Sequence, residues 1–145
     1  MVASTFTLPD AAAVEAMSAE EVLGCCVRHF AGTVALACSF QKEETVLLDM
    51  LFGIEPKACV FAIDTHYLFP ETYELWREIE QRYDTKIEAF EGPSAQELCA
   101  THGDKLWERK PELYLAIAKV APLNDALGGL ETRPPPGSCG PCRRA

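Results

Sequence analysis

Three short stretches hold the residues with chemistry to offer. In ACSFQKEET (37–45), Ser39 follows an apolar run, TVALA, and precedes a helix-like run, VLLDMLF. A hydroxyl and several backbone N–H groups at such a strand-to-helix turn can converge on one anion. Gln41 adds an amide donor. Glu43 and Glu44 suit the helix dipole but would repel an anion unless they face outward. Two readings stand, a phosphate cradle and a plain turn. The stretch has no glycine, and its one lysine, Lys42, sits beside two glutamates. In the second stretch Asp64 and Thr65 close the run KACVFAI, where they can bond a sugar hydroxyl or a base, or cap the next turn. His66 beside them is a general acid or base, or polar surface. In the third, Lys119 follows LYLAIA and either reaches past it to solvent or meets an anionic ligand.

The remaining reactive residues read as structural. Of seven cysteines, Cys25, Cys26, Cys38, Cys59 and Cys99 lie in or beside apolar segments. In a reducing compartment they are small buried hydrophobes. Cys25 and Cys26 are adjacent, but no second pair stands near them at ligand spacing, so no metal site is expected. Cys139-Gly140-Pro141-Cys142 matches the thioredoxin dithiol letter for letter. That chemistry needs a helix beginning at the first cysteine, and only Arg143, Arg144 and Ala145 follow. The match reads as chance. Glu74, Glu78 and Glu80 with Arg77 and Arg82 form a solvated helix face. Trp76 and Trp107 read as core, and His29 and His102 as satisfied structural residues.

The elements that position these residues follow from periodicity. Residues 10–30 read as helix, with Asp10 or Ser18 as cap and Ser18-Ala-Glu-Glu21 as a capping box. TVALACSF (33–40) reads as a buried strand. Residues 42–52 read as helix, with Val46, Leu47, Met50 and Leu51 as its apolar face and Gly53 as its end. KACVFAID (57–64) is a second buried strand, 70–83 a helix starting at its proline, and KIEAFE (86–91) an alternating third strand. A helix starts from Ser94, and one or two more span 111–127, broken near Pro122. Alternating strands and helices predict an α/β fold: a doubly wound, mostly parallel sheet with helices on both faces. Such sheets bind ligands beyond the carboxyl ends of their strands, where Ser39 and Asp64 both fall.

Composition narrows the function classes. The chain has 145 residues, 48% of them apolar and 24% charged, which suits one globular domain. A formal net charge of −9 argues against sequence-independent nucleic-acid binding. No apolar run approaches the length of a membrane span, and the first residues lack the pattern of a secretory signal. A cytoplasmic protein is expected. After Leu130 the character changes: RPPPGSCGPCRRA has no periodicity. The expected division is a domain over 1–132 and a disordered tail over 133–145.

ACSFQKEETVLLDML, VFAIDTHYLFPETYELWREIEQRY and KLWERKPELYLAIAKVAPLNDAL together resemble the phosphoadenosine phosphosulfate (PAPS) and adenosine phosphosulfate (APS) reductases over about residues 20 to 131. The I-D-T-x-x-x-F-P-E-T-Y block is the most specific part. The Ser-Phe turn is similar to the pyrophosphate loop of the ATP pyrophosphatase superfamily, the adenine nucleotide alpha hydrolase-like fold. A relative transferring AMP or sulfur would need an SGGxDS-type loop, which ACSFQKEET is not. The resemblance implies sulfate assimilation, in which the activated sulfuryl group is reduced to sulfite with electrons from thioredoxin or glutaredoxin. A thiolate near the C-terminus attacks the sulfur, and a second thiol releases sulfite. It also implies that Ser39, Phe40 and Gln41 lie at the phosphosulfate or nucleotide, Asp64 and Thr65 at the nucleotide, and Lys119 near the substrate anion. A homo-oligomer is compatible with it.

Three departures qualify what it implies. His66 stands where the family usually has glycine, a residue that permits positive φ. The Cys-Cys pair that holds a [4Fe–4S] cluster in APS-type enzymes is replaced by Leu113-Tyr114, and the arginine that follows it by Ala118. A cluster-free, PAPS-type protein is therefore expected. The family's Trp-containing strand, Gly-Leu-Arg-Arg turn and Glu-Cys-Gly-x-His motif do not follow Thr132. The expectation is a nucleotide-binding fragment with no catalytic cysteine and little or no reductase activity.

Overall fold

The computed structural model describes residues 9–30 and 32–130. The expected domain boundary near 132 and the tail, with Cys139 and Cys142, lie outside them. Strands β1 (Ala35–Ala37), β2 (Cys59–Asp64) and β3 (Glu88–Glu91) form one sheet in the order β1-β2-β3. Both pairings are parallel, with Ala37 opposite Phe61 and Asp64 opposite Glu91. Each crossover is helical: α3 (Lys42–Ile54) joins β1 to β2, and α4 (Pro70–Arg82) joins β2 to β3.

Two short helices precede the sheet, α1 (Ala11–Glu15) and α2 (Ala19–His29). They replace the single helix expected over 10–30, because both candidate caps are used. The Asp10 carboxylate accepts from the Ala13 N–H, and Ser18 and Glu21 form the reciprocal capping box. The helix expected from Ser94 also divides, into α5 (Ala95–His102) and α6 (Leu106–Arg109). Gly103 at φ 78° and Lys105 at φ 52° carry the chain between them through left-handed backbone that no helix can continue.

The last helical stretch is α7 (Pro111–Leu115), a π turn (Ala116–Val120) and α8 (Ala121–Leu130). Pro122 has no N–H to give the carbonyl four residues back, that of Ala118. The backbone passes this point in a wider turn in which the Ala121 N–H donates to the Ala116 carbonyl. The expected break near Pro122 is thus a change of helical pitch.

One core lies between the sheet and α3 and α4. Val60 and Ala62 of β2 meet Leu48, Leu51 and Phe52 of α3 and Trp76 and Ile79 of α4. Phe61, on the opposite face by the two-residue alternation of a strand, packs edge-on against Phe90 of β3. The π turn and α8 lie by β2 and β3, where Ala118 and Ala126 are buried. Helices therefore cover both faces, as expected.

Several burial expectations are corrected, among them that of Cys99, which is exposed. Val46 is 53% exposed, because α3 buries Leu48, Leu51 and Phe52 and turns Val46 outward, and Gly53 lies inside α3 rather than ending it. Trp107 is 41% exposed in the short α6. β1, expected as buried, leaves Ala37 exposed and Ala35 and Leu36 half-buried. Among the described residues β1 has one neighbour, β2, so a strand apolar enough for the middle of a sheet stands at its edge.

Candidate functional site

The carboxyl ends of β1 and β2 lie side by side, and each is followed by a turn with one left-handed residue, Phe40 at φ 64° and His66 at φ 60°. A left-handed residue redirects the N–H groups on either side, so that they converge instead of alternating.

At the β1 end, the Cys38 N–H still belongs to the sheet and donates to the Phe61 carbonyl at 2.9 Å. The Phe40 side chain is buried, with its ring stacked on Trp76 at 4.9 Å between centroids. The left-handed residue of this turn is thus packed into the core. Ser39 and Gln41, on either side, are exposed. Their N–H groups and the Ser39 hydroxyl meet at a single atom, Oε2 of Glu44. The Ser39 N–H donates to it at 2.5 Å, the Ser39 Oγ at 2.8 Å and the Gln41 N–H at 3.4 Å. Glu43 faces outward, 68% exposed beside Lys42. The two adjacent glutamates thus point apart, and Glu44 does not satisfy the condition that both face solvent.

Cys38 lies directly beneath this turn. Burial pushes its thiol up to about 11, and the Glu44 carboxylate adds to the shift against a Phe40 N–H that opposes it. A buried thiol so held is a poor nucleophile at neutral pH.

The β2 end is tied more closely to its surroundings. Oδ1 of Asp64 accepts from the Tyr73 hydroxyl at 2.7 Å and from the His66 N–H at 2.8 Å. Desolvation, then the hydrogen bond to Asp64, pushes the Tyr73 phenol up to about 12. Thr65 is 5% exposed, and its Oγ1 accepts from the Tyr67 N–H at 3.4 Å. Nε2 of His66 lies 4.0 Å from Glu91 at the end of β3. His66 adopts a backbone shape for which glycine is best suited.

A groove of about 680 Å³ runs from Asp64 along α4 past Leu68, Tyr73, Trp76 and Arg77 to Glu80. Glu80, expected on a solvated face, is largely buried at the far end, where its carboxylate accepts from Lys86 at 2.7 Å and from the Ile87 N–H at 3.0 Å. Burial raises its pKa, but these donors outweigh that and hold it below the usual carboxylate range.

Ser39, Gln41, Asp64 and Thr65 are thus brought to one edge of the sheet, while the Phe40 side chain goes into the core. Lys119 is exposed in the π turn. Its neighbour Ala118 lies so close to Gly92, just past β3, that a Cβ on Gly92 would stand 3.0 Å from the Ala118 carbonyl oxygen. Lys119 thus follows a residue whose backbone packs against the chain just past β3, and is itself exposed. Glu44, Tyr73 and Glu91 also belong to this edge. Their types carry no signal by themselves; only the left-handed turns and the parallel register reveal them.

Among the described residues no three Cys, His, Asp or Glu side chains gather in a way that could hold a metal ion.

A parallel sheet covered by helices, with main-chain donors gathered past its strand ends, defines an α/β nucleotide-binding fold. The family model for the phosphoadenosine phosphosulfate reductase domain matches residues 33–134. The chain belongs to that family. It is 36% identical over 115 residues to an adenosine 5'-phosphosulfate reductase of Bacillus anthracis, covering 78% of this chain and 51% of that one. It is also 36% identical over 103 residues to adenosine 5'-phosphosulfate reductase 1 of Bacillus subtilis, covering 70% and 44%. A crystal structure of phosphoadenylyl-sulfate (PAPS) reductase from Candida auris, a phosphate complex, superposes with a TM-score of 0.75 at 28% identity, covering 87% of this chain and 66% of that one. The chain spans about half the length of the curated relatives it matches.

Proposed function

We propose that the chain binds the adenylyl nucleotide of PAPS or APS across the ends of β1 and β2 and serves the reduction of its sulfuryl group to sulfite in sulfate assimilation. In this reading Ser39 and Gln41 supply donors to the phosphosulfate, and Phe40 shapes the turn that aims them. Asp64 and Thr65 border the nucleotide, and Lys119 offers a positive charge to the substrate anion. Thioredoxin or glutaredoxin is the electron donor, and the protein works in the cytoplasm without an iron–sulfur cluster. No helix of the described residues is long and apolar enough to cross a membrane.

One observation carries the reading: in a chain of this family, three donors converge on a single anionic oxygen at the carboxyl end of β1. Calorimetric titration with PAPS and then APS tests it. Saturable binding is expected, and the tighter ligand identifies the substrate branch. No binding to a chain whose circular dichroism shows it folded overturns it.

A second reading, nucleotide binding without turnover, is favoured by the thiols. At the β1 and β2 ends the described cysteine is Cys38, which is buried and hard to ionise. Saturable binding with no sulfite released in the presence of reduced thioredoxin selects this second reading.

A further inference from the structure

The Glu44 carboxylate occupies the place where a ligand anion would sit. The donors at the β1 end are few and are aimed by the Phe40 turn, and Glu44 Oε2 takes three of them at once. A phosphate or sulfate oxygen reaching the same donors would stand within a few ångströms of this carboxylate. Two negative charges that close repel and compete for the same hydrogens. We propose that Glu44 is a built-in competitor for the anion, so that ligand binding at this turn is an exchange in which the Glu44 side chain swings out as the ligand enters. The inference rests on the nucleotide reading above.

The surroundings permit this exchange. Glu44 is the third residue of α3, and its carboxylate closes the capping box on the Gln41 N–H; rotation of the side chain gives up that bond without moving the Glu44 backbone. Glu43, one residue earlier, shows that a glutamate here is accommodated in solvent. Phe40 is stacked on Trp76 in the core, apart from the carboxylate that would move. In the free protein Glu44 satisfies the N–H groups of a tight turn that would otherwise depend on water.

The consequence is selectivity by threshold. A resident competitor weakens every anion by the same factor. An ion with only its charge to offer then falls below useful affinity, whereas a nucleotide, with further contacts at the β2 end, still binds. Glu44 in this sense sets the affinity threshold of the turn and is not a catalytic residue.

The test compares the full chain with Glu44→Gln and Glu44→Ala, titrating each with adenosine 5'-phosphosulfate and with inorganic pyrophosphate. Both variants should bind both ligands more tightly, by about three- to tenfold, the scale of losing charge-assisted hydrogen bonds in a solvent-screened setting. The factor should be the same for the two ligands. In the wild-type chain, nuclear magnetic resonance should show the Glu44 carboxyl carbon and the Ser39 and Gln41 amides shifting together as ligand is added. Glu44→Gln keeps a neutral acceptor at the turn, so it remains informative if the alanine variant folds poorly. Equal or weaker binding by a folded Glu44→Gln, or a Glu44 resonance that ignores a bound ligand, overturns the exchange and leaves nucleotide binding intact. Absence of binding by all three folded proteins overturns the nucleotide reading and the exchange with it.

Discussion

The turns after β1 and β2 are built alike and held differently. Each has one left-handed residue, Phe40 or His66, and each folds its N–H groups onto a carboxylate. After β1 that carboxylate is Glu44, which reaches back from the next helix and can swing away. After β2 it is Asp64, the last residue of the strand, half-buried and bonded to Tyr73 of α4. The buried parts are exchanged as well: the left-handed Phe40 is anchored in the core, whereas the left-handed His66 is exposed. The same backbone device thus yields a turn whose donors can be released and a turn whose donors are committed. Two such turns side by side allow one end of a ligand to be gripped by exchange and the other to meet a fixed wall.

The comparison can be broken most strongly from beneath the β1 turn. Trp76→Ala removes the ring on which Phe40 stacks and opens a cavity in the core, with an expected loss of about 3–5 kcal/mol in denaturant unfolding. Any folded protein that remains should lose anion affinity at Ser39 and Gln41. A loss of stability with unchanged ligand affinity would show that Phe40 does not depend on Trp76 for its shape.

A smaller effect is expected at the β2 turn. Asp64→Asn weakens the acceptor for the Tyr73 hydroxyl and the His66 N–H, at a cost of about 1–3 kcal/mol. It also carries a pH signature. The Tyr73 phenol is raised from about 10 to about 12 in the folded chain, so the stability it contributes is fully present below about pH 10 and is lost as pH rises through about 12. Unfolding curves across that window should show a shallower alkaline decline in Asp64→Asn than in wild type, with Tyr73→Phe as the control. Identical declines would remove Asp64 from the cause.

The smallest effect sharpens the comparison. His66→Gly relieves a left-handed backbone at a position whose side chain is not in the core, and should stabilise by up to about 1 kcal/mol. The 4.0 Å approach of His66 to Glu91 is too exposed to offset much of this. A lowered melting temperature would mean that the His66 ring does more at the β3 end than its geometry suggests.

Much of this was legible in the residues. Ser18 and Glu21 announce α2, Pro70 announces α4, and the apolar runs around Val60 and Phe61 announce the strand that lies in the middle of the described sheet. Ser39 and Asp64 were placed at strand ends by the order of apolar runs and turn residues alone. The edge position of β1 was not legible, because an apolar strand reads the same whether or not both of its sides are covered. Nor was the division of labour between Glu43 and Glu44. Neighbouring residues of a helix point about 100° apart, and which one faces the turn depends on where the helix starts.

By itself the sequence determined the alternation of strands and helices, their parallel arrangement and the family, because these depend on local periodicity, caps and a long specific pattern of residue types. The tertiary structure alone decided which donors are free, since that depends on long-range packing. Trp76, from a later helix, stacks on Phe40, and on either side of Phe40 the Ser39 and Gln41 N–H groups converge on Glu44.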